Sequence, residues 1–261
     1  MHIDCDFYLS QALFDNEQLR NLQAVINEYL PDWSRSLRVS AHSAGKRTAI
    51  VGPAGDLYAC LHSLSTTRRG IQSADLAGID AGLSFFLFNS DSLALPDGNH
   101  IALEILDWPT IEGRATAAWV RGFFEEVSTR LPTRFAKAHL VEEFYAKNMH
   151  DDSAGAWALN AGFLDGLPGL YWLNYFGPAY CDLIGRERLL SAPATEVKAA
   201  GDGVLIGLDP SPRAWTTPQY QQQEQAVIEH LGKQYFFSRH DPDRQTLGPD
   251  FDALAKEQAK P

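Results

Sequence analysis

The stretch Gly166-Leu-Pro-Gly-Leu-Tyr-Trp-Leu-Asn-Tyr-Phe-Gly-Pro-Ala-Tyr-Cys-Asp-Leu-Ile-Gly185 combines aromatic residues with glycine and proline. Within it, Leu170 to Phe176 has the residue types that fit a pleated, half-buried surface, which predicts a strand. The glycines and proline of Gly166 to Gly169 predict a turn before that strand. The stretch therefore predicts a sheet strand that begins directly after a turn.

The second half of the stretch predicts a short helix. Gly177-Pro178 breaks the strand, and proline suits the first position of a helix over Ala179–Ile184. Gly185 suits the C-terminal end of that helix. Cys181 then lies close to a helix N-terminus, a position that lowers the pKa of a thiol, so it is the best candidate nucleophile of the chain. Its sequence neighbours are apolar and no histidine is near, which argues against catalysis.

The aromatic residues of the strand have two interpretations. Core packing is favoured for Trp172, Tyr175 and Phe176, because large aromatic side chains are mostly buried. If one sheet face is open, the same side chains could instead anchor a protein partner, since tryptophan and tyrosine contribute strongly to interfaces.

The stretch resembles the "WxNYFGP…G" segment of immunity proteins in bacterial polymorphic toxin systems. On this segment the chain is similar to the immunity protein 52 family, small α+β proteins encoded beside nuclease toxins of a restriction-endonuclease-like class; related type VI secretion immunity proteins carry similar segments. The resemblance implies an inhibitor that binds a cognate nuclease toxin. The residues that carry it are Tyr171, Trp172, Asn174, Tyr175, Phe176, Gly177, Pro178 and Gly185.

Outside this stretch, hydrophobic periodicity and turn residues predict further helices and strands. The predicted helices are Asp15–Leu30, Pro53–Thr67, Thr110–Leu131, Val141–Lys147 and Thr217–Leu231. The predicted strands are His2–Leu9, one or two within Leu37–Val51, Leu83–Asn89, Asn99–Asp107, Phe135–Leu140, Glu196–Ala199, Gly203–Leu208 and Tyr235–Phe237.

Hairpins outnumber helical crossovers in this order, which predicts an α+β fold with a mostly antiparallel sheet. The length of 261 residues is compatible with one domain spanning residues 1–261. The polar segment Asn148 to Ala156 predicts a connection between two sub-halves, 1–147 and 156–261.

The charge balance bears on the partner. The chain has 22 Lys and Arg against 33 Asp and Glu, a net charge of −11. Phosphates would repel it overall, which argues against nucleic-acid binding and favours a basic protein partner such as a DNA-cleaving toxin. No basic N-terminal region followed by an apolar run, and no stretch of about 20 apolar residues, is present. We therefore expect no membrane insertion and a cytoplasmic location. Nothing in the sequence predicts the oligomeric state.

Two stretches contain acidic residues and no lysine or arginine: Gly70 to Glu112 and His150 to Gly185. Such runs are often solvated faces, but here they could also form one negative surface for a basic toxin. On that hypothesis the candidate partner-binding residues are Asp75, Asp80, Asp91, Asp97, Asp151 and Asp152.

Patterns of metal and acid–base chemistry are weak. The alternation of His2, Asp4 and Asp6 places three potential cation ligands on one face of a strand, although a solvent-facing strand is the simpler interpretation. The paired acids Glu142 and Glu143 are interpreted as a solvated helix face. We therefore expect no catalytic residue, no metal and no cofactor.

The sequence thus favours an immunity protein that occludes the active cleft of a secreted nuclease toxin. Two alternatives stay open: a small-molecule or peptide hydrolase that uses Cys181 or a metal, and a structural subunit of a secretion assembly.

Overall fold

The computed structural model describes residues 1–10, 16–29, 38–43, 46–50, 72–77, 83–89, 100–106, 116–152, 155–158, 166–167, 169–237 and 245–250; within 38–89 and 149–158 it describes the backbone alone. The chain forms two compact units, residues 2–133 and 134–261, called here the N-terminal and C-terminal units. The predicted single domain and its sub-halves stay a prediction. The predicted helix Pro53–Thr67 lies outside the described residues.

The N-terminal unit contains an antiparallel sheet and two described helices. The six strands lie in the order β1-β6-β5-β4-β2-β3. Its elements are β1 (Ile3–Leu9), α1 (Asn16–Tyr29), β2 (Arg38–Ser43), β3 (Lys46–Ile50), β4 (Gln72–Ala77), β5 (Leu83–Asn89), β6 (His100–Ile105) and α2 (Ala117–Arg130).

Helix α2 packs on the apolar side of β1, and α1 packs against α2. Phe7 of β1 contacts Phe123 and Phe124 of α2, with ring centroids 6.2 and 5.4 Å apart. Tyr29 at the end of α1 packs edge-on against Phe123, and its carbonyl accepts a hydrogen bond from Trp119 Nε1 at 3.2 Å. This aromatic group fixes α1 against α2 and forms part of the core of the unit.

Helix α2 begins later than the sequence predicts. Thr116 has an extended backbone, and its side chain accepts a hydrogen bond from Trp119 N, so it is the N-cap. The predicted start of this helix at Thr110 is therefore wrong, because the Thr116 side chain satisfies a free amide of the first turn.

The C-terminal unit is built on four antiparallel strands in the order β7-β10-β12-β11. Its strands are β7 (Thr133–Leu140), β8 (Met149–Asp152), β9 (Gly155–Ala158), β10 (Leu173–Phe176), β11 (Glu196–Ala200) and β12 (Gly203–Gly207). Its helices are α3 (Val141–Asn148), α4 (Pro178–Tyr180), α5 (Arg186–Leu190) and α6 (Pro218–Leu231), with a π-helical turn at Cys181–Gly185 and 3₁₀ turns at Pro212–Thr216 and Lys233–Tyr235.

All strand pairs described in either unit are antiparallel, so the predicted α+β fold with mostly antiparallel sheet is confirmed. The predicted strand Tyr235–Phe237 is wrong, because Tyr235 ends a 3₁₀ turn and Phe236 forms an isolated bridge to Leu167. The polar segment after α3, predicted as a connection, contains the hairpin β8–β9. The predicted helix after Pro178 continues as a π-helical turn and ends at Gly185, whose φ is +101°, as predicted; a further helix, α5, follows.

The start of α6 offers a measurable test of local capping. Thr217 Oγ1 accepts a hydrogen bond from Tyr220 N at 3.3 Å, and Pro218 occupies the first helical position. We expect Thr217→Ala to lower the free energy of unfolding by about 1 kcal/mol, because a first-turn amide loses its partner. Thr217→Ser keeps the hydroxyl and should be near wild type. Urea denaturation measures both, and equal losses would contradict the capping role.

Candidate functional site

The polar face of strands β1 and β6 carries a cluster of ionisable side chains. The two strands pair so that Asp4 faces Glu104, Asp6 faces Ala102 and Tyr8 faces His100. Alternate residues of both strands, among them Ile3, Leu103 and Ile105, are fully buried on the opposite face. The period-two alternation therefore gathers the polar residues on one side.

Two close histidine–carboxylate contacts lie on this face. His2 Nε2 lies 2.7 Å from Asp4 Oδ1, and His100 Nε2 lies 2.9 Å from Asp6 Oδ1. The His100 ring also stacks on Tyr8, with centroids 4.6 Å apart. These side chains are half-buried or nearly buried rather than fully solvated.

Three side chains on this face converge closely enough to hold a cation. One ligand atom each from His2, Asp4 and Glu104 lies within 4.8 Å of the other two. The sequence pattern grouped His2 and Asp4 with Asp6, but Asp6 is paired with His100, and Glu104 takes its place. Sequence reasoning missed Glu104 because its position depends on the register between two strands far apart in the chain. The arrangement can bind a metal ion or a cationic side chain.

The predicted partner-binding aspartates are only partly described. Asp75 lies in β4, where it faces Ser40 of β2 on one side and Phe86 of β5 on the other. Phe86 in turn faces Ala102 of β6, and Ala102 faces Asp6 of β1. Asp75 and Asp6 therefore lie in the same row across the strands. The others in the first acidic stretch, Asp80, Asp91 and Asp97, lie outside the described residues.

The remaining two candidates belong to the C-terminal unit. Asp151 and Asp152 lie in β8, opposite Ala156 and Gly155 of β9. The hairpin thus presents two adjacent acidic positions on one short strand. All six aspartates stay predicted contacts.

The aromatic side chains in and directly before strand β10 belong to the hydrophobic core. Trp172 and Phe176 are fully buried and Tyr175 is 3% exposed, as core packing requires. Trp172 Nε1 donates a hydrogen bond to Asp209 O at 2.8 Å. Burial raises the pKa of Tyr175 to about 12, so its hydroxyl stays protonated at neutral pH. These side chains stabilise the fold of the C-terminal unit.

Asn174 connects the backbone around this strand. Its Oδ1 accepts a hydrogen bond from Tyr171 N at 3.0 Å, and its Nδ2 donates to Tyr171 O at 2.8 Å and to Ile206 O at 3.4 Å. The side chain is fully buried. Asn174 therefore satisfies three backbone groups where the chain enters β10.

The end of β10 explains the glycine and proline of the motif. Gly177 N donates a hydrogen bond to Arg134 O of β7 at 3.0 Å, and Pro178 opens α4. Tyr175 packs over Gly203 so closely that a Cβ at position 203 would overlap the Tyr175 ring. The matching positions thus fix a strand-to-helix transition.

A buried ion cluster joins α3 to α6. Lys147 Nζ donates hydrogen bonds to Glu143 Oε1 at 2.7 Å and to Leu170 O at 2.6 Å, and forms an ion pair with Glu224 Oε1 at 2.8 Å. Tyr220 OH also donates to Glu143 Oε1 at 2.8 Å. Glu143 is fully buried, so its interpretation as part of a solvated face is wrong. The i,i+4 spacing of Glu143 and Lys147 on a predicted helix could have predicted this ion pair from the sequence.

Cys181 does not have the surroundings of an activated nucleophile. Burial raises the pKa of its thiol, and the guanidinium of Arg186, 4.0 Å from Sγ, only partly opposes this effect. The thiol donates a hydrogen bond to Phe176 O at 3.4 Å. The expected lowering of the pKa by the helix N-terminus is therefore wrong, because burial outweighs it.

Comparisons with known proteins give a fold relation. No family model matches the sequence, and no curated protein matches it. Among solved structures, the Pseudomonas aeruginosa T6SS protein PA0821 superposes with a TM-score of 0.57 at 15% sequence identity, over 97% of this chain and 80% of that chain. The two proteins therefore share a fold. Among the described residues, no helix combines the length and apolar character that crossing a bilayer requires.

Proposed function

We propose that this protein is an immunity protein of a type VI secretion system, which binds a cognate nuclease effector and blocks its active cleft. The observation that carries the proposal is the shared fold with a T6SS protein over 97% of the chain. The aromatic segment supports it independently, because its residues resemble those of immunity proteins and fix the core of the C-terminal unit.

Charge supports the mode of inhibition. A nuclease presents a basic cleft to DNA, and a chain with a net charge of −11 is attracted to such a cleft. Carboxylates that occupy the phosphate positions would exclude the substrate. Catalysis has no role in this mechanism, and the raised pKa of Cys181 disfavours the thiol hydrolase alternative.

The direct test is co-expression with the product of the adjacent reading frame. We expect growth rescue and co-purification of a stable complex. Toxicity without rescue, together with no complex, would overturn the proposal. Self-association of the isolated protein into large assemblies, without rescue, would instead support a structural role in a secretion apparatus.

The charge mechanism predicts a specific effect of reversing two aspartates. Asp151→Lys combined with Asp152→Lys should weaken toxin binding by about tenfold or more, equivalent to about 1.4 kcal/mol. Most of the loss should be in the association rate, and wild-type association should slow as salt increases, because steering charges are screened. Surface plasmon resonance at several salt concentrations measures both effects.

A matched control separates local contact from overall charge. Glu142 and Asp202 are exposed and lie outside the predicted contacts. Glu142→Lys with Asp202→Lys changes the net charge by the same amount and should affect binding much less. Equal effects of the two double variants, or an association rate insensitive to salt, would contradict the role of Asp151 and Asp152.

A further inference from the structure

We propose that His2, Asp4 and Glu104 bind one divalent transition-metal ion on the polar face of β1 and β6. The site is independent of the proposed immunity function. It combines the imidazole nitrogen of His2, which directly precedes β1, with one carboxylate oxygen from each of the two strands, and the three ligand atoms lie within 4.8 Å of one another.

The cross-strand register supports a cation at this position. Asp4 and Glu104 face each other directly in the antiparallel pair. Like charges directly opposite each other destabilise a sheet. Asp6, the next carboxylate on the same face, has His100 as a close partner at 2.9 Å. His2 Nε2 lies 2.7 Å from Asp4 Oδ1, and a divalent ion held by His2, Asp4 and Glu104 would neutralise both facing carboxylates.

The surroundings of one Asp4 carboxylate oxygen give a second argument for a bound cation. Asp4 Oδ1 is shielded from solvent and accepts no hydrogen bond from the described residues, although it lies 2.7 Å from His2 Nε2. Shielding a carboxylate oxygen without a hydrogen bond is costly. A metal bond would satisfy this atom, and a neutral imidazole can coordinate the same ion through Nε2.

The donor set indicates the class of metal. Imidazole nitrogen suits zinc and neighbouring transition metals, whereas magnesium and calcium are held mainly by oxygen. Zinc bonds of about 2.0–2.2 Å place tetrahedral ligand atoms about 3.4 Å apart, so small side-chain rotations bring the three groups into position. Three protein ligands leave a fourth position for water. The ion would tie β1 to β6 at the polar face.

Zinc is the probe for the test. The full chain without a polyhistidine tag is titrated with zinc chloride by calorimetry and in competition with a chromophoric chelator. We expect one equivalent to bind and the melting temperature to rise. Asp4→Asn and Glu104→Gln should each weaken binding by about tenfold or more, because loss of a charged ligand costs at least as much as loss of a group hydrogen-bonded to a ligand, which changes metal affinity by about 10–100-fold.

Asp6→Asn is the matched control, because it removes a neighbouring carboxylate that is not a proposed ligand. The zinc affinity of this variant should stay within about threefold of wild type. X-ray absorption at the zinc edge should show nitrogen and oxygen ligands without sulfur. This measurement needs no variant, so a misfolded mutant does not block the test. No zinc binding, sulfur in the ligand shell, or unchanged binding by Asp4→Asn and Glu104→Gln would overturn the site.

Discussion

Trp172→Ala is expected to lower the free energy of unfolding by about 3–5 kcal/mol, the usual loss when a large core aromatic is truncated. The indole is fully buried and its Nε1 donates a hydrogen bond to Asp209 O at 2.8 Å. Truncation leaves a cavity beside β10 and removes the donor to that carbonyl. Natural proteins have a stability of only about 5–15 kcal/mol, so the loss removes a large share of it.

The effect should depend on burial rather than on loss of an aromatic ring. Tyr145 is 53% exposed, and Tyr145→Ala should change the stability by no more than about 0.5 kcal/mol. Trp172→Phe should give an intermediate loss, because it fills part of the cavity but cannot donate to Asp209 O. Circular dichroism during urea denaturation measures all three variants. A loss below about 1 kcal/mol for Trp172→Ala would contradict the structural role of the aromatic segment.

Elements with strong local signals could be predicted from the sequence. Helix α6 begins after Thr217, whose side chain caps its first turn, and it ends before Gly232, which has a positive φ. The hairpin of β11 and β12 follows from its glycine turn. Strand β5 follows from its nearly continuous apolar run, and β6 from its apolar alternation. In each case the residues that determine the element lie within it or directly beside it.

Strand β4 could not be predicted in this way. Its sequence, Gln72-Ser-Ala-Asp-Leu-Ala77, contains none of the aromatic or β-branched residues typical of strands. It becomes a strand because β2 and β5 pair with it on both sides. Tertiary pairing thus overrides a weak local preference.

The same distinction applies to the candidate sites. The shared face of His2 and Asp4 follows from strand alternation alone. The approach of Glu104 depends on pairing across the sheet, and the burial of Glu143 depends on Tyr220 in a distant helix. Side chains that meet only in the folded chain leave little trace in a single sequence.

Lys147→Met is expected to destabilise the C-terminal unit by about 3–5 kcal/mol, the usual loss when one partner is removed from a buried ion pair. Lys147 is the shared partner of Glu143 and Glu224, with nitrogen–oxygen distances of 2.7 and 2.8 Å. Methionine keeps most of the length of the side chain and removes its charge. Glu143, which is fully buried, then loses its closest cation.

The loss should also depend on pH. Burial raises the pKa of Glu224, and Lys147 opposes this rise. A carboxyl with a raised pKa in the folded state contributes stability at low pH and loses it as pH rises through that pKa. Removing Lys147 raises the pKa further, so the deficit of Lys147→Met should be larger at pH 7 than at pH 5.

The triple variant Lys147→Met, Glu143→Gln and Glu224→Gln tests the cause directly. It removes the two carboxylates together with their cation, and it should recover much of the stability, since replacing a whole buried ion cluster by neutral groups is often nearly neutral. Glutamine at position 143 still offers an oxygen to Tyr220 OH. Denaturant titrations at both pH values compare the variants. A triple variant as unstable as Lys147→Met, with no pH dependence in the single variant, would show that lost packing and not uncompensated charge causes the destabilisation.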